Sequence, residues 1–283
     1  MPQTMRLGRH SEKRSIRDRI IWFSFTIDSQ HKRNTAVSCS SAMREGRASL
    51  GDVAAFAGSM PAAYRAAFDP IEVAAHAAIA ARRGASPTYV ESWDELPGRV
   101  LAVCVVADDH PGLLARVSAA LATNEVDVVR AYGYGRTNGA GAREALMFFW
   151  VRRVVRGELA SLARSDVDAL AALLEALVRG DASYEAPAAV QPRTGATTVR
   201  FERGQLTVEA TDRPGLLLAV TQTLYREGLQ IVGVRATSER GRVVDRFDVV
   251  ERDGSEIGPE RTLALQTAVL AAIDGEKKDD VSA

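Results

Sequence analysis

Two stretches of the sequence repeat one another, ADDHPGLL at residues 107–114 and ATDRPGLL at residues 210–217. The apolar positions that follow also align, in the pairs Val117 with Val220, Leu121 with Leu224, Val126 with Leu229 and Val128 with Ile231. A short shared string has little weight, but a pattern that continues along the same helical face indicates duplication of one structural unit. The sequence therefore predicts two copies of one fold, offset by 103 residues.

Each copy has the same predicted order of elements around this turn. β-rich segments enter the turn, and leucines and valines at helical spacing follow it. A hairpin and a second helix come next. The predicted strands cover 100–106, 126–134 and 144–151 in the first copy and 206–210, 230–237 and 243–250 in the second. This βαββα order lacks one strand of the ferredoxin-like βαββαβ unit. The missing strand is either 197–201 or one exchanged between the copies, and we predict an α+β fold of two tandem ferredoxin-like domains.

The sequence before the repeats has two parts of different composition. Residues 1–47 carry ten Lys/Arg and four Asp/Glu, a net charge of +6 in a chain whose 36 basic and 36 acidic residues cancel. We predict a disordered basic leader there. Helical spacing of Val53, Phe56 and Met60, and an alanine-rich segment 71–83, predict two short helices and then a polar connector containing Trp93. The predicted limits are 1–47 for the leader, 48–96 for a helical linker, 97–190 and 197–275 for the two domains, and 276–283 for a polar tail.

Composition and motifs exclude several functional classes. A chain of zero net charge lacks the basic surface that predicts nucleic-acid binding. The apolar run at 20–27 is shorter than a membrane span and is followed by charged residues, so we expect a cytoplasmic protein without membrane contact. Cys39 and Cys104 form no disulfide framework or zinc motif, and His76 lies alone in a helix, which predicts a structural role. We expect no metal and no cofactor.

The Asp-x-Pro-Gly-Leu turn is the part of each copy where chemistry can be argued. Its proline suits the first position of a helix, and its aspartate can accept hydrogen bonds from helix amides that lack partners. Its glycine lets a ligand approach the backbone, where those amides can hold a carboxylate. The aspartate can then receive an ammonium group, so the turn suits a free amino acid. The alternative is a helix start that binds nothing.

The candidate ligand-binding residues follow from this chemistry and lie in both turns. They are Asp109, His110, Gly112, Leu113 and Leu114 in the first copy and Asp212, Arg213, Gly215, Leu216 and Leu217 in the second.

The two copies resemble tandem ACT domains, which are small-molecule-sensing modules attached to amino-acid metabolism. The turn itself, GLQI at 228–231 and DRFDV at 245–249 carry this resemblance. The preceding MPAAY at 60–64 and PIEVAAH at 70–76 are similar to the stretch before the ACT pair in bacterial uridylyltransferases of the PII signalling protein. The resemblance covers roughly residues 48–275, and in that family the ACT pair is the glutamine-sensing regulatory end.

The catalytic motifs of that family are absent from this sequence. Nucleotidyl transfer there uses a Gly-Ser followed at short distance by a metal-binding Asp-x-Asp, but Gly58-Ser59 has no such partner and Asp166-Val167-Asp168 falls in a predicted helix. Uridylyl removal uses an adjacent His-Asp pair, and none of the four histidines precedes an aspartate. The resemblance therefore implies a regulatory protein that is not an enzyme.

The leading hypothesis is a non-catalytic regulator that senses a small amino acid, glutamine first, and passes its occupancy to a protein partner or to a second copy of itself. This would link the protein to nitrogen or amino-acid metabolism. One alternative is a remnant or split regulatory subunit of a PII uridylyltransferase. Another is an ACT pair that serves only in dimerisation.

Overall fold

The computed structural model describes residues 49–155, 158–184 and 195–274. Helices within these ranges lie at Leu50–Ser59 (α1), Ala62–Ala67 (α2), Pro70–Arg83 (α3), Leu113–Thr123 (α4), Arg164–Arg179 (α5), Leu216–Arg226 (α6) and Pro259–Asp274 (α7). Strands lie at Thr88–Leu96 (β1), Val100–Asp108 (β2), Asp127–Thr137 (β3), Arg143–Val155 (β4), Glu158–Ala160 (β5), Thr198–Glu202 (β6), Gln205–Thr211 (β7), Leu229–Glu239 (β8) and Arg242–Glu251 (β9). The predicted leader, 1–47, and tail, 276–283, lie outside the described residues.

The strands form one antiparallel sheet in the order β1-β2-β4-β3-β8-β9-β7-β6, with β5 paired to the end of β4. The two copies meet where β3 pairs with β8, in a register that runs from Arg130 opposite Thr237 to Tyr134 opposite Gly233. We call this pairing the seam. It joins the copies side by side, so the residues at either end of the seam come from both copies.

The α+β ferredoxin-like prediction is confirmed, with one difference in the origin of the fourth strand. In each copy that strand precedes the others and forms a hairpin with the first of them, β1 with β2 and β6 with β7. For the second copy, β6 coincides with the predicted segment 197–201. For the first copy, β1 occupies the stretch that we expected to be a polar connector. An edge strand tolerates its polar side chains because they can pair at the sheet border, as Glu91 does with Arg82 at 2.7 Å.

This hairpin changes where the first copy begins. β1 ends at Leu96 and pairs with β2 along its whole length, so the segment before residue 97 belongs to the sheet. We propose to place the boundary between the helical segment and the first domain before Thr88. The other predicted limits stay predictions.

Helices α4 to α7 pack on one face of the sheet, which we call the helix face. Their apolar stripes and alternate strand residues of both copies form a single core. α4 and α6 contact each other directly above the seam. The core side chains that are least exposed include Val117, Leu121, Phe149, Leu170, Leu174, Leu206, Val220, Leu224, Phe247, Leu265 and Val269.

Helices α1 to α3 cover the opposite face of the sheet, and they cover it over the first copy. A second core lies there, with Tyr64, Phe68, His76 and Phe148 in mutual ring contact. The two helices that we predicted are three, because Pro61 is the N-cap of the additional helix α2. Among the described residues, no helix is long and apolar enough to cross a membrane.

His76 and Cys104 have structural surroundings in this second core. His76 is fully buried, its Nδ1 lies 2.9 Å from the Tyr64 hydroxyl, and burial lowers its pKa to about 3, so the ring is neutral at physiological pH. Cys104 is buried and free, and burial raises its pKa. In the described part of the chain, no group of three or more His, Cys, Asp or Glu side chains is arranged to hold a metal ion.

Candidate functional site

The two turns share one backbone geometry, which glycine makes possible. Gly112 and Gly215 are the N-caps of α4 and α6 and have φ of +79° and +81°, a left-handed conformation that costs other residues strain. The prolines therefore lie before the cap rather than at the first helical position that we predicted. The left-handed glycine makes the sharp bend into the helix. The proline before it has a fixed φ, which restricts the backbone immediately ahead of the bend.

The amides at the start of α4 are only partly satisfied. The Leu113 amide donates to the His110 carbonyl oxygen at 3.2 Å. No described residue accepts a hydrogen bond from the amides of Gly112, Leu114 or Ala115. These are the donors that the first turn of any helix leaves without an intrahelical partner. These free amides lie at the positive end of the helix dipole, which favours an anion at this position.

Asp109 uses its carboxylate differently from our prediction. Its Oδ2 accepts hydrogen bonds from Arg143, at 2.7 Å from Nη2 and 3.1 Å from Nε, rather than from the helix amides. The Arg143 side chain is 66% exposed whereas that of Asp109 is 12% exposed. A mostly exposed ion pair of this kind is weak. A ligand ammonium group could replace Arg143 at little cost.

A small cavity lies between the first turn, α6 and the start of β8. All five candidate residues of the first copy line it, together with Tyr225 and residues 229–234 of the second copy. Its volume is about 50 Å³. Pockets that hold small molecules usually measure about 300–1,000 Å³, so this cavity is small. The structure thus brings the first-copy candidates together around a small cavity.

The Tyr225 ring closes this site. A Cβ atom placed on Gly112 would lie 2.7 Å from two ring carbons of Tyr225. Arg252 stacks on the outer face of the ring, 5.4 Å from its centroid, and donates to the Tyr225 carbonyl oxygen. In the aligned position of the first copy the residue is Ala122, which has no ring to place over the second turn. Sequence reasoning missed Tyr225 because α6 residues reach the first turn only through the seam.

The second turn is more open and has a different charge. A Cβ atom placed on Gly215 would meet no atom within 4 Å. The carboxylate of Asp212 accepts a hydrogen bond from the Ser238 hydroxyl. Arg213, a candidate ligand residue, is only 7% exposed and donates to the Ile273 carbonyl oxygen at 2.6 Å. It therefore ties the turn to the end of α7, and its role in ligand binding stays a prediction.

Asp245 is a second carboxylate near this turn, and we did not predict it. It is 3% exposed, and burial together with the nearby charge of Asp212 raises its pKa to about 7. The sheet registers place Met147 at the equivalent position of the first copy. The available signal was the alternation in β9, which directs Asp245 to the same buried face as Phe247.

The sequence profile of the ACT domain matches residues 204–264. This range contains β7, α6, β8, β9 and the beginning of α7, with the second turn between β7 and α6. Residues 204–264 form an ACT domain. The first copy repeats its strand order and its turn geometry.

The chain is also similar over most of its length to a bacterial enzyme. It is 30% identical over 265 residues to the bifunctional uridylyltransferase/uridylyl-removing enzyme of Caulobacter vibrioides, covering 87% of this chain and 27% of that protein. It is 32% identical over 234 residues to the same enzyme of Phenylobacterium zucineum, covering 77% of this chain and 24% of that protein. The chain thus spans about a quarter of the length of these relatives.

Solved structures with detectable similarity are aspartate kinases. The enzyme from Synechocystis is 11% identical with a TM-score of 0.33, over 60% of this chain and 26% of that one. The regulatory subunit of aspartate kinase from Thermus thermophilus is 15% identical with a TM-score of 0.21, over 65% of this chain and 95% of that one.

Proposed function

We propose that this protein is a non-catalytic regulator that binds a small amino acid at its Asp-x-Pro-Gly turns. The observation that carries the proposal is the second turn, where an unobstructed glycine begins a helix beside Asp212, and the charge of Asp212 reaches a second, buried carboxyl group, Asp245. The α6 amides favour the carboxylate of the ligand, and the two aspartates favour its ammonium group. Each charge-assisted hydrogen bond contributes about 1.5–3 kcal/mol.

Glutamine is the first ligand to test. The resemblance to the uridylyltransferase family implies it, because the ACT pair of that family senses glutamine. The alignment of most of this chain with two such enzymes supports a link to nitrogen metabolism. The side chain of glutamine would extend away from the charged groups that hold the α-carbon substituents, so the turns alone do not select it.

Binding at either turn would be transmitted through the seam. Each turn begins a helix that packs above the seam, and α4 and α6 contact each other there. A ligand that orders one turn changes the contact between the copies, which is the differential interaction that regulation requires. The readout would be a surface offered to a protein partner or to a second copy of the chain.

A regulatory subunit acting on a separate uridylyltransferase chain is the second candidate. It is favoured by the 87% of this chain that aligns with such an enzyme. The tagged protein should then co-purify with a uridylyltransferase, and adding or removing glutamine should abolish this co-purification. That result would favour a regulatory subunit over a free-standing sensor.

The ligand-binding proposal is tested by calorimetry on the full chain with each of the common amino acids. Gly215→Val should abolish binding, because its side chain blocks the approach to the α6 amides. Gly254→Val is the matched control, since Gly254 also has a positive φ, of +86°, and open space around its Cβ. Both variants carry similar backbone strain of about 1–3 kcal/mol. Absence of binding by any amino acid, or unchanged binding in Gly215→Val, would overturn the proposal.

A further inference from the structure

A second and larger cavity lies on the sheet face opposite the helix face, at the same end of the seam as the first turn. It is formed by the start of α2, the second half of β3, and residues 232–235 and 248 of β8 and β9. Its volume is about 410 Å³, within the range of sites that hold small molecules. We call it the seam groove. Neither turn contributes a residue to its lining, although six residues of β3 and β8 line both this groove and the smaller cavity at the first turn.

Strand alternation places the side chains of the groove. Tyr134 and Arg136 point to this face from β3, and Arg235 points to it from β8. Gly233 lies directly opposite Tyr134 in the seam and has no side chain to fill the space. The carboxylate of Asp248 lies over this glycine, because a Cβ atom there would be 2.7 Å from its Oδ2.

Of the four charged side chains that line the groove, two are already compensated and two are not. Arg136 pairs with Glu144 at 2.5 Å and Arg143 pairs with Asp109 at 2.7 Å. In the described part of the chain, Arg235 has no carboxylate partner. Likewise Asp248 has no cationic partner there, and its carboxylate accepts only from the Gln205 side-chain amide at 2.7 Å. One guanidinium and one carboxylate therefore face the same cavity without neutralising each other.

The floor of the groove holds a polar group that lacks a regular partner. Tyr134 is 7% exposed, and its buried hydroxyl has the Arg235 guanidinium as a neighbouring hydrogen-bonding group, but the two do not reach normal hydrogen-bond geometry. Burial raises the pKa of Tyr134, and the neighbouring Arg235 opposes part of that rise. A buried hydroxyl without a full hydrogen bond lowers stability. A ligand that accepts its hydrogen bond would recover this loss.

We propose that the seam groove binds the zwitterionic end of an α-amino acid, at a site separate from the turns. The guanidinium of Arg235 and the hydroxyl of Tyr134 would hold its carboxylate, and the carboxylate of Asp248 would hold its ammonium group. Arg235 and Asp248 are diagonal neighbours across β8 and β9, since Gly233 pairs with Asp248 and Arg235 with Arg246. Such neighbours lie about 7–8 Å apart, which leaves room for a ligand whose two charges sit on adjacent groups.

The test is calorimetry on the full chain with Arg235→Gln, Asp248→Asn and Tyr134→Phe. The probes are the common amino acids, together with the methyl ester and the N-acetyl derivative of any that binds. Arg235→Gln and Asp248→Asn should each weaken binding at this site about 10- to 100-fold, the equivalent of one charged hydrogen bond. Arg246→Gln is the matched control, because Arg246 is exposed on the same face beside Arg235 but does not line the groove.

The outcomes separate this site from the turns. The proposal is supported if Arg235→Gln and Asp248→Asn lose binding while Arg246→Gln binds like the wild type. The methyl ester and the N-acetyl derivative should then both fail to bind at the groove. Binding lost in Gly215→Val but intact in Arg235→Gln and Asp248→Asn overturns it and leaves the turn site standing. Binding that survives Gly215→Val but disappears in the groove variants supports the groove site and overturns the turn site. Loss of binding through unfolding of the variants is excluded if their melting temperatures equal that of the wild type.

Discussion

The two copies differ most clearly in the strand that lies at the centre of each. β4 reads ALMFFWV at 145–151, an unbroken apolar run, whereas β9 reads VVDRFDV at 243–249 and alternates. β4 is buried on both faces, by α4 and α5 on one side and by α1 to α3 on the other. β9 is buried by helices on one face only, and its Arg246 and Asp248 are exposed. A strand covered on both sides loses its period of two, because both sets of side chains must be apolar.

The two turns differ in a second way, although their backbones agree. The first is closed by Tyr225 and has an exposed arginine beside its aspartate. The second is open and has a buried carboxylate, Asp245, beside its aspartate. Duplication therefore preserved the backbone that makes a binding turn possible, while the neighbouring side chains gave each turn its own access and charge.

The comparison between the strands predicts unequal losses of stability. Phe148 of β4 and Arg246 of β9 occupy equivalent positions on the face opposite the helix face. Phe148→Ala should reduce the free energy of unfolding by about 3–5 kcal/mol, because it empties a fully buried site in the second core. Arg246→Ala should change it by at most about 0.5 kcal/mol. Urea unfolding measures both, and similar losses would show that α1 to α3 do not pack stably on the first copy.

The second turn should make stability depend on pH. The pKa of Asp245 is about 7 in the fold against an ordinary value of 3.8, so the folded state keeps a proton that the unfolded state releases between these values. The stabilisation is complete below pH 3.8 and is lost as pH rises through 7, a decline on the order of a few kcal/mol.

Asp245→Asn removes this titration and isolates it from that of other groups. Urea unfolding from pH 4 to pH 8 should show wild-type stability falling relative to the variant as pH rises. Parallel curves would contradict a buried carboxylate with a raised pKa. Met147→Leu, at the equivalent position of the first copy, should leave the pH dependence of the wild type unchanged because neither side chain titrates.

The smallest expected difference concerns the two turn glycines. Gly112→Ala and Gly215→Ala carry the same left-handed strain, but only the first meets the Tyr225 ring. The ring is 37% exposed and can turn outward. The additional loss in the free energy of unfolding for Gly112→Ala should therefore be near the lower end of the range for overpacked sites, about 1 kcal/mol. Thermal unfolding of both variants, each also combined with Tyr225→Ala, measures it. The difference should vanish without the ring, and its persistence would place the obstruction elsewhere.

Local pattern predicted the elements of the repeats well. The helical stripes from Val117 and Val220, and the strands on either side of them, are where spacing placed them. The glycine of each turn has the left-handed conformation that its freedom allows. β1 was missed because an edge strand with polar residues such as Glu91 has no clear alternation. The burial of Arg213 could not be predicted because it depends on the end of α7, which is distant in sequence.

The sequence by itself determined the duplication, the order of elements and the two glycine turns, because these depend on residues a few positions apart. Only the tertiary structure decided that Tyr225 covers the first turn, that Asp245 joins Asp212 at the second, and that Arg235 and Asp248 face one groove. All three depend on which strands become neighbours and in what register. A shift of one residue in the pairing of β8 with β9, for example, would place Arg235 and Asp248 on opposite faces of the sheet.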